Sequence, residues 1–258
     1  MLARRHAIRL IVLVCFAAAI GMAFVPPIPQ PADYHRFVDA RVILGAPNFW
    51  NVASNLPFLI VGAVGLMTVL RGGYVGGLPS QRLAYGVFFA GVAAVCFGSG
   101  YYHWSPSNAT LAWDRLPMSI AFMAFVSIVI AEHIDERAAK ILLWPLIALG
   151  VFSVGYWDYT ERLGHGDLRL YGLVQFLSLA VIALTWLTLP SRLTGIGYLW
   201  GMFAGYAAAK VLEALDAPLY AVLGQQMSGH ALKHVAAAGG MVFFVLALRR
   251  RRLKGEST

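Results

Sequence analysis

The chain has 258 residues, of which 59% are hydrophobic and only 12% are charged. Because about a quarter of the residues in an ordinary soluble domain are charged, this composition excludes a typical soluble protein. The formal net charge of +8 is spread over several connections rather than gathered in one run, and we therefore predict no nucleic-acid partner.

Apolar stretches long enough to cross about 30 Å of hydrocarbon recur along the whole sequence. They predict an all-α integral membrane protein, built as a bundle of seven transmembrane helices with one additional N-terminal helix. The eight predicted helices cover residues 8–25, 49–70, 83–102, 116–131, 139–154, 170–189, 196–215 and 230–248.

The first predicted helix has two interpretations. Its basic start and its small residues near position 23 also fit a cleavable signal peptide, although we favour a retained helix. The Pro-rich run over residues 26–31 predicts an extended spacer. We divide the chain into an N-terminal helix and spacer (1–30), a membrane domain (31–249) and a basic tail (250–258). Cys15 and Cys96 both lie in apolar helices and predict no disulfide framework.

Lysine and arginine alternate in density from one connection to the next. If the amino terminus is cytoplasmic, thirteen of the 20 basic residues lie in cytoplasmic segments and five lie outside, with Lys210 and Lys233 inside helices. This bias follows the positive-inside rule and places both termini in the cytoplasm. The cluster Arg249 to Arg252 is then expected to anchor the topology.

Two histidines four residues apart, His230 and His234, open the last apolar helix. This spacing stacks two imidazoles on one helical face. His103 closes an earlier helix, and Asp114 precedes the next one. The predicted topology places all four residues in the non-cytoplasmic leaflet. Four other histidines fall in terminal or connecting segments and are expected to be solvated: His6, His35, His133 and His165.

Three neutral histidines can hold zinc and leave one position for a water whose pKa the metal lowers. Asp114 is the candidate that accepts the proton of this water and delivers it to a leaving amine. Ser99, one turn before His103, is placed to hydrogen-bond a developing oxyanion. This set suffices to hydrolyse an amide or ester, and the membrane setting favours a lipid substrate.

Structural interpretations of the same residues stay open. Ser99 can instead hydrogen-bond a carbonyl of its own helix, and Asp114 can cap the following helix. Lys210 and Glu213 have i, i+3 spacing, and we expect an internal ion pair between them.

Four segments in this order resemble the alkaline ceramidase family. They are Asn48-Phe49-Trp50-Asn51-Val52-Ala53-Ser54-Asn55-Leu56, Gly98-Ser99-Gly100-Tyr101-Tyr102-His103, Trp113-Asp114-Arg115-Leu116-Pro117-Met118, and His230-x-x-x-His234. The resemblance runs from about Asn48 to the end of the last helix. The compact, Arg-rich chain is typical of a bacterial member in the inner membrane, with its active site towards the non-cytoplasmic side.

The resemblance implies a seven-helix core of the CREST superfamily of membrane hydrolases. Carried onto this sequence, the zinc ligands are His103, His230 and His234, with Ser99 stabilising the oxyanion and Asp114 transferring the proton. The family reaction is hydrolysis of the ceramide amide to a sphingoid base and a fatty acid. The implied partner is a lipid drawn from the bilayer, and the sequence leaves the oligomeric state open.

Family members with a calcium site carry an acidic motif before the first core helix and a Glu before the aromatic residue of the next motif. Here the first motif is at best Asp33-Tyr34, and Asn48 occupies the Glu position. Asp33, Asp39, Asn48 and Asn51 still offer oxygen ligands, but with less charge. We therefore predict no tight calcium binding.

Two other functions remain in competition with a zinc-dependent lipid amidase. One is a membrane receptor or sensor of the adiponectin-receptor type, in which zinc is structural. The other is a proton-coupled transporter with a path through Glu213 and Asp216. The sequence has no pair of broken helices in matching halves, which disfavours the transporter.

Overall fold

The computed structural model describes residues 3–255, which fold almost entirely into helices. Within this range, the extended pairing is limited to the isolated bridges Ile43–Ala46 and Leu193–Leu253. The helices are α1 (Arg4–Ala23), α2 (Phe49–Ala53), α3 (Leu56–Leu70), α4 (Arg82–Trp104), α5 (Asn108–His133), α6 (Glu136–Arg162), α7 (Arg169–Gly172), α8 (Ser178–Thr188), α9 (Gly197–Ala214), α10 (Asp216–Val222) and α11 (Gly229–Arg250).

The predicted all-α membrane architecture is confirmed. In the described part of the chain, seven helical segments have the length and hydropathy to cross a membrane, with α2 and α3 counted together as Phe49–Leu70. The eighth predicted span corresponds to α9, which has 18 residues and is less apolar because it carries Lys210 and Glu213. It packs along α11 and completes the bundle.

Consecutive helices α3, α4, α5 and α6 pack side by side, and α11 lies between α3 and α9. Aromatic rings fill the centre, where Phe244 stacks on Phe89 and meets Phe88 and Phe125 edge-on. These rings are almost fully buried, so the core lies between α4, α5 and α11. Helix α1 sits at the periphery, where it packs mainly against α8.

The predicted site residues lie at the same end of the helical bundle, which we call the histidine end. His103 lies at the end of α4, and His230 and His234 lie at the start of α11. Helix α1 begins at the opposite end, where the Arg4 side chain donates to the carbonyl of Ile134, just after α5. Helix α11 also finishes there.

Helix α5 starts eight residues earlier than its sequence pattern predicts. Ser107 and Thr110 form a capping box, with each side chain accepting a hydrogen bond from the other residue's backbone N–H. Because of this cap, the connection between α4 and α5 is only three residues long, from Ser105 to Ser107. Asp114 consequently lies inside the helix, and its interpretation as the N-cap residue is wrong.

Two predicted spans are interrupted at positions that matter for the site. The span over 49–70 breaks between α2 and α3 at Ser54 and Asn55. The span over 170–189 contains one π-helical turn, Leu173–Leu177, between α7 and α8. The apolar pattern continues through the π-helical turn and does not predict it. The first break does have a local signal, because the polar residues Ser54 and Asn55 are followed by Pro57 in the first turn of α3.

The opposite end contains a buried ion pair that the sequence pattern did not predict. Arg251 and Glu132 are both fully buried, and the guanidinium makes two hydrogen bonds to the carboxylate at 2.6 and 3.1 Å. Arg251 also donates to the carbonyl of Thr194. Arg251, which belongs to the cluster expected to anchor the topology, therefore holds the end of α11 against the connection before α9.

The four histidines that were expected to be solvated divide into two pairs. His6 and His165 are exposed, as predicted. His133 is buried with Nδ1 against the carbonyl of Leu189, so its expected solvation is wrong. His35 is also not freely solvated, because its ring nitrogens bond Tyr102 and Asn108.

Candidate metal centre and its cavity

Three histidine side chains from two distant helices converge at the histidine end. One ring nitrogen from each of His103, His230 and His234 lies within 4.8 Å of the others. Their ring centroids are 4.9 to 5.2 Å apart. The sequence-predicted ligands are therefore adjacent, although 127 residues separate His103 from His230.

The spacing of one pair of these nitrogens matches a tetrahedral zinc site. The Nε2 atoms of His103 and His230 are 3.4 Å apart. Two ligands of a tetrahedral zinc, each at about 2.0–2.1 Å, lie about 3.3–3.4 Å from one another. His103 and His234 are buried and His230 is half-buried, so the three rings lie largely out of contact with water.

Ser54 orients His234. Its hydroxyl lies 2.8 Å from Nδ1 of His234 and 3.4 Å from the carbonyl of Asn51. If the hydroxyl donates to this carbonyl, it accepts from Nδ1–H and leaves the Nε2 lone pair of His234 free for a metal. Ser54 occupies the break between α2 and α3. It belongs to the motif Asn48–Leu56, which by itself predicts no role for this residue.

Phe37 is a second neighbour of the histidines that the sequence analysis missed. Its ring centroid lies 4.7 Å from that of His103 and 5.1 Å from that of His230. It comes from the connection after α1, which carries no periodic signal that would place it there. An aromatic ring at this position shields the imidazoles from water.

Ser99 and Asp114 meet where α4 and α5 cross closely. A Cβ on Gly98 would lie 2.1 Å from the carbonyl oxygen of Trp113, so this contact requires glycine. In a regular helix the carbonyl of Trp113 would accept a hydrogen bond from the N–H of residue 117, but Pro117 has no N–H. The crossing brings the Ser99 side chain next to the Asp114 carboxylate.

One cavity of about 640 Å³ joins these groups. Ser99, Asp114 and the three histidines all line it. The rest of its wall is largely apolar, and five of its residues also line a second, apolar cavity of about 130 Å³ deeper in the bundle: Phe58, Val95, Met118, Tyr206 and Ala237. The space is therefore polar at the histidines and mostly apolar beyond them, where Arg169 and Gln175 are polar exceptions.

A charged cluster from α9 and α11 borders the same cavity. Glu213 forms the predicted ion pair with Lys210 and a further one with Lys233, which bridges the two helices. Asp216 accepts a hydrogen bond from the backbone N–H of His230 at 2.7 Å and so fixes the first turn of α11. Glu213 and Asp216 thus have structural partners, which disfavours a proton path through them.

The residues considered for calcium do not form one oxygen-rich cluster. Asp33 is exposed in a short 3₁₀ turn, Ala32–His35, whereas Asp39 is buried. Both carboxylate oxygens of Asp39 accept hydrogen bonds from Arg41, and these bonds raise the pKa of that guanidinium.

Two asparagines of this set also have partners. The amide nitrogen of Asn48 donates to the carbonyl of His103, and that of Asn51 donates to the carbonyl of Asp39. The Asn51 side-chain oxygen stays buried without a hydrogen-bond partner among the described residues. With the one buried carboxylate already paired, these residues do not fit a tight calcium site.

Fold and site together define a multi-pass membrane protein with a buried three-histidine centre that is able to hold a metal ion. The family model described as Ceramidase matches residues 45–257. The match covers most of the chain, and the protein therefore belongs to the ceramidase family, as its sequence motifs predict. No curated protein matches the chain. Family membership supports a membrane enzyme that hydrolyses the ceramide amide bond.

Proposed function

We propose that the protein is a zinc-dependent hydrolase that cleaves the amide bond of ceramide or a related N-acyl lipid within the membrane. One observation carries the proposal: three converging histidines, Ser99 and Asp114 line the same cavity, which becomes apolar away from them. An N-acyl lipid has matching polar and apolar parts, because its polar amide and headgroup adjoin a long apolar acyl chain.

Each residue has a separate task in the proposed reaction. Zinc bound by His103, His230 and His234 would supply a Lewis acid that lowers the pKa of water. The Asp114 carboxylate accepts a proton from the attacking water and passes it to the leaving amine nitrogen. The Ser99 hydroxyl donates a hydrogen bond to the developing oxyanion. The amide and one water thereby give a carboxylic acid and an amine.

The experiment combines metal analysis with a panel of ceramides and other N-acyl lipids. We expect about one zinc per chain and amide hydrolysis that is lost in His234→Ala and in Asp114→Asn. The matched controls are His165→Ala and Asp158→Asn, which change an exposed histidine and a carboxylate paired with Arg162 on the outer surface of α6. Both controls should retain zinc and activity.

The competing sensor function predicts a different pattern. Stoichiometric zinc, a lower melting temperature after chelation and no turnover across the panel would favour a receptor with structural zinc. Unchanged zinc binding in His103→Ala, His230→Ala and His234→Ala would reject the metal centre itself.

We further propose that both termini are cytoplasmic in a bacterial inner membrane and that the histidine end faces the opposite side. The alternation of Lys and Arg along the connections supports this orientation. On this arrangement, residues 31–249 form the hydrolase domain, residues 1–30 form a membrane helix with its spacer, and residues 250–258 form the cytoplasmic tail.

A further inference from the structure

The N-terminal helix, which lies outside the matched residues 45–257, forms part of the cavity wall. Ala18 and Met22 line the cavity from α1, and Ile28 lines it from the spacer that follows. Ala18 and Met22 are four residues apart and therefore share one face of the helix. Ala17 and Ala19, on either side of Ala18, are exposed on the outer face.

Helix α1 is fastened to the bundle at its first half. Ala7 and Ile11 are almost fully buried and pack with Leu189, at the end of the α7–α8 span. The Arg4 side chain also donates to the carbonyl of Ile134. These contacts hold the beginning of α1 at the end of the bundle opposite the histidines.

The spacer after α1 is fastened at the histidine end. Arg169 donates to the carbonyl of Val25 at 2.6 Å, and the backbone N–H of Leu168 donates to the carbonyl of Ile28 at 2.8 Å. Two points of attachment therefore position the second half of α1, although little of the helix is otherwise buried.

The wall facing this half of α1 is the π-helical turn Leu173–Leu177. Leu173, Phe176 and Leu177 line the same cavity as Ala18 and Met22. The turn is in contact with α1. A π turn carries one extra residue within an α-helix, which alters the direction of its side chains, and such turns are frequent at functional sites. Gln175 of the same turn also lines the cavity, but its amide nitrogen donates to the hydroxyl of Tyr206, and the other lining residues of the turn are apolar.

We propose that Ala18 and Met22 determine the acyl-chain specificity of the enzyme, because they form the wall against which the chain of the lipid lies. The inference rests on the proposed function, since the ligand is the acyl chain of the N-acyl substrate. Helix α1 is thus a working part of the mature protein and not a cleaved signal. A larger side chain at position 18 shortens the space that an acyl chain can fill.

The test compares Ala18→Phe with Ala19→Phe, which adds the same side chain one residue away on the exposed face. The assay is kcat/KM for N-acyl lipids with short, medium and long acyl chains. We expect Ala18→Phe to lower the value for long chains about tenfold or more relative to short chains. Met22→Ala should shift the preference towards longer chains, and Ala19→Phe should keep the wild-type profile.

Three results would overturn the proposal. The first is an identical chain-length profile in Ala18→Phe, Ala19→Phe and the wild type. The second is an equal change in both phenylalanine variants, which would indicate a general disturbance of α1. The third is an intact mass for the purified, active protein that lacks the residues of α1. Zinc content and melting temperature serve as folding controls, with Ala18→Leu as the milder substitution.

A failure of the proposed function gives a distinguishable result. If wild-type protein hydrolyses no lipid of the panel, the same variants are compared by binding of saturated fatty acids of graded length, measured as thermal stabilisation. If Ala18→Phe selectively loses the stabilisation by long chains, Ala18 lies against the bound acyl chain even though the protein does not catalyse hydrolysis. Equal stabilisation of all variants would reject it.

Discussion

Ser54 illustrates how one side chain prepares another for its task. Its hydroxyl lies between Nδ1 of His234 and the carbonyl of Asn51, at the point where helical hydrogen bonding is interrupted between α2 and α3. A hydrogen bond to the second ring nitrogen fixes the tautomer and the orientation of a metal-binding histidine. The break in the helix is therefore part of the site rather than a defect.

We predict that Ser54→Ala lowers zinc affinity by about 10- to 100-fold, because His234 loses the partner that orients its ring. Competition with a chromogenic chelator measures the affinity. Ser153→Ala is the control, since that buried hydroxyl bonds the carbonyl of Gly150 in α6 and does not border the cavity. Equal zinc affinity in the wild type and both variants would contradict the role of Ser54.

At the scale of elements, the crossing of α4 and α5 brings the Ser99 and Asp114 side chains together. Gly98 approaches the carbonyl of Trp113 so closely that a methyl group has no room there. Small residues permit such close helix crossings in membrane proteins. The geometry of the site thus depends on one glycine that does not itself line the cavity.

Gly98→Ala is expected to separate α4 from α5, to lower stability by about 1–3 kcal/mol and to reduce hydrolysis. The matched control is Gly100→Ala, in the same helix, where a Cβ would meet nothing within 4 Å. That variant should be unchanged or stabilised by up to about 1 kcal/mol through its helix propensity. Thermal unfolding in detergent and kcat measure both, and equal effects of the two substitutions would refute the close-crossing argument.

The end of α11 is held by the buried pair of Glu132 and Arg251. We expect Glu132→Gln to destabilise the protein by about 3–5 kcal/mol, since it leaves a buried guanidinium without its carboxylate. Replacing both residues by leucine should recover much of this loss. Arg192→Gln, which removes the half-exposed partner of Glu136, should cost no more than about 1 kcal/mol.

The melting temperatures of these variants decide between the two kinds of ion pair. Equal destabilisation by Glu132→Gln and Arg192→Gln would show that burial does not distinguish them. A further loss in the double leucine variant, beyond that of Glu132→Gln, would contradict the expected recovery.

At the scale of the whole molecule, both described chain ends lie opposite the histidines, so the basic segments and the site are separated by the thickness of the bundle. Residues 4–9 carry three arginines, and residues 249–254 carry four arginines and Lys254. The positive-inside rule then predicts the cytoplasm on the side of the chain ends.

Cysteine labelling checks this orientation. In a background of Cys15→Ser and Cys96→Ser, a membrane-impermeant maleimide should label Val42→Cys in intact spheroplasts and Lys254→Cys after permeabilisation alone. Residues 42 and 254 are both exposed, at the histidine end and the opposite end respectively. The reverse labelling pattern would place the site on the cytoplasmic side.

The sequence by itself determined the fold class and the eight apolar spans, and it singled out the three histidines that converge in the structure. A sufficiently long apolar run predicts a membrane-spanning helix without any knowledge of its neighbours. Likewise, i, i+4 spacing places His230 and His234 on one helical face whatever surrounds them. The motif order then identified the family. These features are local or nearly so, and they can be read without knowing which helices touch.

The tertiary structure alone decided which residues support the site. Ser54, Phe37 and Gly98 act through neighbours that are distant in sequence, and Arg251 meets Glu132 across 119 residues. The start of α5 is different, because its capping box joins Ser107 to Thr110 and is a local signal that the sequence also contains. The contribution of α1 to the cavity does have a tertiary origin, since a helix whose sequence resembles a signal peptide becomes a wall only when α8 and the spacer hold it in place.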